Sequence, residues 1–110
     1  MIKTERCGSC VKVMLQGEID HYAAMDMRAV METAIRDRHI SELLLDFTQV
    51  SFMDSSGVGM LIGRYKTMRE RGGKISASGL NAQTEKLYRM AGLHRIIPIE
   101  KSSEGEEKHE

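Results

Sequence analysis

The sequence predicts an α/β fold with a mixed, mostly parallel sheet of about five strands and helices on one face, because strand-like and helix-like segments alternate along most of the chain. Two stretches carry that expectation. Leu43-Leu44-Leu45, followed by Asp46 and Phe47, is an unbroken apolar run of the kind found in a strand covered on both faces. After it, Val58, Leu61, Ile62, Tyr65 and Met68 recur at helical spacing, with Arg64, Lys66, Arg69, Glu70 and Arg71 mostly elsewhere on the wheel. Between the two lies Ser51-Phe52-Met53-Asp54-Ser55-Ser56-Gly57-Val58-Gly59, whose short polar residues suit the unsatisfied N–H groups of a first helical turn.

Taken in order, residues 2–7 form a weak strand, Gly8-Ser9 a tight turn, and Val11, Val13 and Leu15 alternate with Lys12, Met14 and Gln16 as in a half-buried strand. Gly17-Glu18-Ile19-Asp20 breaks the alternation. Asp20 is placed to cap a helix whose apolar face is Ala23 or Ala24, Met27, Val30, Met31, Ala34 and Ile35. The charged run Arg36-Asp37-Arg38-His39 ends that helix before the leucine strand. Further on, Gly72-Gly73 stops the second helix, Lys74 to Ser78 reads as a short strand, and Asn81 caps a third helix with Thr84, Leu87, Met90 and Ala91 facing inward. Ile96-Ile97-Pro98-Ile99 is expected as a last strand, at the sheet edge because proline offers no ladder donor. The domain is thus expected over residues 1–99, and residues 100–110, polar and acidic, as a disordered tail.

Composition narrows the function. At 110 residues the chain suits a single core, without room for a separate cofactor module. Its net charge of zero provides no field for nucleic acid or anionic membrane, which makes proteins the expected partners. No apolar run approaches the roughly 20 residues that span a bilayer, and the N-terminus lacks a signal-peptide stretch, so a cytoplasmic location is expected. Nine methionines without tryptophan suggest a core filled partly by flexible thioethers. Cys7 and Cys10 lack the second ligand pair of a zinc site, and Cys10 leads into a strand rather than the helix of a thioredoxin-type dithiol; they read as flanking a hairpin turn. The four histidines are scattered, and neither a metal nor a cofactor is expected.

Strands two and three are expected as parallel neighbours, which brings Glu18, Ile19 and Asp20 beside Asp54, Ser55 and Ser56 where strand carboxyl ends emerge. Two readings of the serines stand together: a helix cap alone, or a hydroxyl presented to a partner. A hydrolase elbow of the Gly-x-Ser-x-Gly type is missing, and Gly57, Gly59 and Gly63 match a dinucleotide loop poorly, since the third glycine comes one residue late and a long loop is expected after the strand. Phosphorylation is the chemistry that fits. A helix N-terminus tolerates the added phosphate, while the surface around it changes sign.

Gly17-Glu18-Ile19-Asp20-His21, Leu45-Asp46-Phe47, the 51–59 stretch, Leu61-Ile62-Gly63-Arg64-Tyr65-Lys66 and Met90-Ala91-Gly92-Leu93 together resemble the STAS-domain anti-sigma factor antagonists, most closely the sporulation sigma-F branch, over roughly residues 10–99. The resemblance implies a protein without catalysis of its own. Its unphosphorylated form would bind an anti-sigma factor that is also a serine kinase and so free a sigma factor. The kinase would phosphorylate Ser55, a serine phosphatase would restore it, and Asp54 would position the hydroxyl. Glu18, Asp20, Ser56 and Gly57 would complete the partner surface. A polar tail stands here where the family usually adds a further amphipathic helix, and the cysteine pair is outside the family pattern. Two other functions compete: a small serine-dependent hydrolase or nucleotide-handling protein, and a scaffold unit of a stress-signalling assembly.

Overall fold

In the computed structural model, which describes residues 2–101, the chain runs β1 (Lys3–Cys7), β2 (Cys10–Ile19), α1 (His21–Ala34), β3 (Glu42–Met53), α2 (Ser55–Glu70), β4 (Lys74–Ser78) and α3 (Ala82–Met90), then a short 3-10 turn (Leu93–Arg95). The strands lie in the order β1-β2-β3-β4, with β1 antiparallel to β2 and the β2–β3 and β3–β4 pairs parallel. The expected mixed, mostly parallel sheet is present with four strands. The tail beyond Lys101 lies outside the described residues.

The missing fifth strand is the Ile96–Ile99 segment. There the chain makes one parallel bridge, Ala77 to Ile99, in which Ala77 N–H donates to Pro98 O at 3.0 Å and Glu100 N–H donates to Ala77 O at 2.7 Å. Proline's missing donor stops the ladder from growing further. Ile97 is instead buried in the core, with its carbonyl accepting the Tyr88 hydroxyl at 2.6 Å.

Burial along β2 follows the alternation in its sequence: Val11, Val13, Leu15 and Ile19 are buried, and Lys12, Gln16 and Glu18 are exposed. In β3 the same period holds, with Leu43, Leu45 and Phe47 buried and Leu44 and Asp46 half-buried. Among the described residues the leucine run is therefore fully covered on one face only. Leu44 lies on the open face beside Lys12 and Asp46, whose ion pair spans 3.8 Å. On the covered face α1 contributes Ala24, Met27 and Met31, and α2 contributes Met60, Leu61 and Met68, all to one continuous apolar core.

Two helices differ in phase from the sequence reading. On α2 the buried positions include Arg64 at 5% exposure, whose Nη2 pairs with Glu32 of α1 at 3.3 Å, so a residue assigned to the outer face lies in the seam between helices. On α3 Thr84 and Tyr88 are buried, Leu87 is half-buried, and Met90 is 75% exposed rather than inward. Tyr88 meets Phe47 edge-on, with ring centroids 6.2 Å apart. Asn81 fixes this helix to the sheet: its Oδ1 accepts Thr84 N–H at 2.8 Å, and its Nδ2 donates to Val50 O at 3.2 Å and Ser51 O at 3.3 Å. The end of β3 is thereby held where it enters the joint.

Candidate functional site

β3 continues as strand to Met53 and α2 begins at Ser55, so the joint is one residue, Asp54, rather than a long loop. Asp54 is the helix cap, its Oδ1 accepting Ser56 N–H at 2.8 Å. Asp20 does the same for α1, accepting Ala23 N–H at 2.9 Å. Both caps satisfy N–H groups that a helix start otherwise leaves unpaired. The parallel β2–β3 register puts Ile19 opposite Met53 and Glu18 opposite Phe52, and Asp54 N–H donates to Ile19 O at 3.1 Å. Two capped helix N-termini therefore stand side by side on one rim of the sheet.

The residues singled out in the sequence divide by exposure. Glu18, Asp20 and Ser55 are exposed, Asp54 and Ser56 half-buried, and Gly57 buried. Gly17, at φ 88°, takes a left-handed conformation that favours glycine, and the register shifts between it and Glu18. Ser55 is the first residue of α2 with its side chain at the surface, whereas Ser56 lines a groove of about 370 Å³ between α1 and α2, together with His21, Met25, Arg28, Met60 and Arg64. Among the described residues neither serine hydroxyl is hydrogen-bonded to a histidine, although His21 lines the same groove as Ser56. Gly59 and Gly63 lie inside α2, not in a phosphate-cradling loop.

Gly57 acts through packing. A Cβ there would stand 2.5 Å from Met53 Cγ and 3.0 Å from Ile19 Cγ2, so the first turn of α2 rests directly on the ends of β2 and β3. Gly57→Ala is expected to lower stability by about 1–3 kcal/mol through overpacking, read as a reduced midpoint in urea unfolding at unchanged slope. An unchanged midpoint would show that the helix start can lift without cost.

The sequence reading missed the apolar border of this rim. Tyr22 is 75% exposed, Met25 58% and Phe52 39%. Their signal was available: Tyr22 and Met25 fall off the apolar stripe of α1 set by Ala24, Met27 and Met31, and it is neighbouring exposed apolar side chains, not isolated ones, that mark contact surfaces. Tyr22 also stacks edge-on against His21, with centroids 5.5 Å apart. Among the described residues no three His, Cys, Asp or Glu side chains converge as a metal site.

The STAS domain profile matches residues 1–105. The chain belongs to the STAS domain family. It is 36% identical over 98 residues to an anti-sigma F factor antagonist of Paenibacillus polymyxa, covering 89% of this chain and 84% of that protein. It is 35% identical over 102 residues to an anti-sigma-B factor antagonist of Listeria monocytogenes, covering 93% and 88%. Among solved structures, the Bacillus cell fate determinant SpoIIAA in its phosphorylated form superposes with a TM-score of 0.75 at 28% identity, covering 99% of this chain and 97% of that one. In this STAS domain Asp20 and Asp54 cap adjacent helices on one rim of the four-stranded sheet. No helix among the described residues is long and apolar enough to cross a membrane.

Proposed function

We propose that this chain is an anti-sigma factor antagonist: unphosphorylated, it binds an anti-sigma factor that is also a serine kinase and releases a sigma factor, and phosphorylation of Ser55 by that kinase switches it off. A serine phosphatase restores the binding form, and the exchange takes place in the cytoplasm. The observation that carries the reading is the exposed Ser55 at the start of α2, next to the Asp54 cap and level with Glu18 and Asp20 on the neighbouring strand end. Relatives named as anti-sigma factor antagonists, and a similar fold solved in a phosphorylated form, support it.

The rim carries exposed apolar side chains near its carboxylates: Tyr22 and Met25 on the first turns of α1 after Asp20, and Phe52 opposite Glu18 in the β2–β3 register. Glu18 and Asp20 supply negative charge for basic residues of the partner, and Gly57 holds α2 against the strand ends so that Ser55 keeps its position. Asp20 serves both as cap and as contact, and the two roles separate chemically. Asparagine caps as well as aspartate but carries no charge. Asp20→Asn is therefore expected to leave thermal stability within about 0.5 kcal/mol while weakening binding by about 2 kcal/mol or more, as loss of one member of a desolvated charge pair does. Thermal unfolding of the chain alone reads the first, and calorimetric titration of the unphosphorylated chain with a cognate anti-sigma kinase reads the second. Failure of the wild-type chain to bind any such kinase would overturn the proposed function; equal binding by Asp20→Asn would remove Asp20 from the contact.

A further inference from the structure

The β1–β2 hairpin carries a feature that the rim does not use. Cys7 and Cys10 are directly opposed in the antiparallel ladder, across the two-residue turn Gly8-Ser9. Gly8 has φ 62° and Ser9 has no positive φ, the signature of a type II′ turn, whose twist matches that of the strands and keeps the register up to the last pair. Directly opposed Cα atoms lie about 4.5–5.5 Å apart. That falls inside the roughly 4.4–6.8 Å range of disulfides. The pair closing a two-residue turn is the wider, hydrogen-bonded kind, with Cβ atoms about 5.5 Å apart, whereas a disulfide brings them to about 3.5–4.5 Å. Closing the bond therefore draws the hairpin in and stores strain, and strained, exposed disulfides are the readily reduced ones.

Both thiols are free, Cys7 exposed and Cys10 half-buried. No third ligand converges on them among the described residues, so a closed four-ligand metal site is not at hand. We propose that Cys7 and Cys10 form a reversible dithiol–disulfide site that exchanges with low-molecular-weight disulfides. The Cys7 thiolate attacks one sulfur of the small disulfide and expels a thiolate, leaving a mixed disulfide on Cys7. The Cys10 thiolate then attacks Cys7 Sγ and expels the second thiolate. Overall the two protein thiols lose two electrons and two protons, and one small disulfide becomes two thiols. Cys7 is the more exposed of the two and meets the small disulfide first, while burial, and secondarily Glu42 and Cys7, push the Cys10 thiol up.

The hairpin tip is at the far end of β2 from Asp20, about 30 Å away at the rise of an extended strand, so this site stands or falls independently of Ser55. The test equilibrates the full chain, at low concentration, in glutathione buffers of graded oxidised-to-reduced ratio, followed by acid quench, alkylation and intact-mass and peptide analysis. A monomeric species lighter by two hydrogens, mapped to a Cys7–Cys10 link and abolished by excess reduced glutathione, is expected. Cys10→Ser should instead stop at a glutathione adduct on Cys7. Single-site adducts alone on the wild-type chain, a link only between two chains, or a bond that resists reduced glutathione would each overturn the proposal.

Discussion

Ser55→Ala is expected to reduce phosphoryl transfer from a cognate anti-sigma kinase to background, with the fold intact. The side chain at this position is exposed and makes no hydrogen bond that holds the helix; the cap belongs to Asp54 and the packing to Gly57. Its removal should therefore change stability by no more than about 0.5 kcal/mol, the usual scale for an exposed site. Ser56 is no substitute acceptor, because it lines the groove between α1 and α2 and is half-buried. Radiolabel incorporation followed by peptide mapping checks the result. Label that persists on Ser55→Ala and maps to Ser56 would contradict the assignment.

Phe47→Ala is expected to cost about 3–5 kcal/mol, the range for emptying a fully buried aromatic position. Phe47 is inaccessible to solvent and supports Tyr88, which is itself buried and held by the Ile97 carbonyl. Against a total stability of about 5–15 kcal/mol for a domain of this kind, the loss is about a fifth of the total or more. Denaturant titration at unchanged slope should show the midpoint fall in the same proportion. Leu44→Ala, on the half-covered face of the same strand, should cost distinctly less, and equal losses at the two positions would contradict the one-sided burial of β3.

The rim was legible because its residues have few other uses. Asp20 before an apolar helical stripe, and Asp-Ser-Ser-Gly between a leucine run and a second stripe, are local patterns, and parallel pairing of β2 with β3 then places them together. What escaped depends on long-range packing. Three consecutive leucines look two-sided, but Leu44 is half-buried and shares its face with the Lys12–Asp46 pair, and among the described residues no helix covers it. Arg64 looks like a solvated residue until Glu32 of α1 is found facing it in the seam. Tyr88 takes the inward position from Met90 because the Ile97 carbonyl, nine residues on, satisfies its hydroxyl. The Ile96–Ile99 segment is apolar enough for a strand, yet its backbone offers only one bridge. Tyr22 and Met25 lie off the stripe by which α1 packs, so helical periodicity gives them no place in the core and no other role.

A phosphate on Ser55 adds roughly 1.5 to 2 negative charges next to Asp54, Glu18 and Asp20, while the α2 N-terminus steadies it. The fold should persist and the contact should not. The decisive measurement is the affinity of the anti-sigma kinase for the purified Ser55-phosphorylated chain beside the unphosphorylated one, in the same buffer and by the same titration. A loss of at least about 100-fold, close to 2.8 kcal/mol, is predicted; affinities within about threefold of each other would contradict the switch.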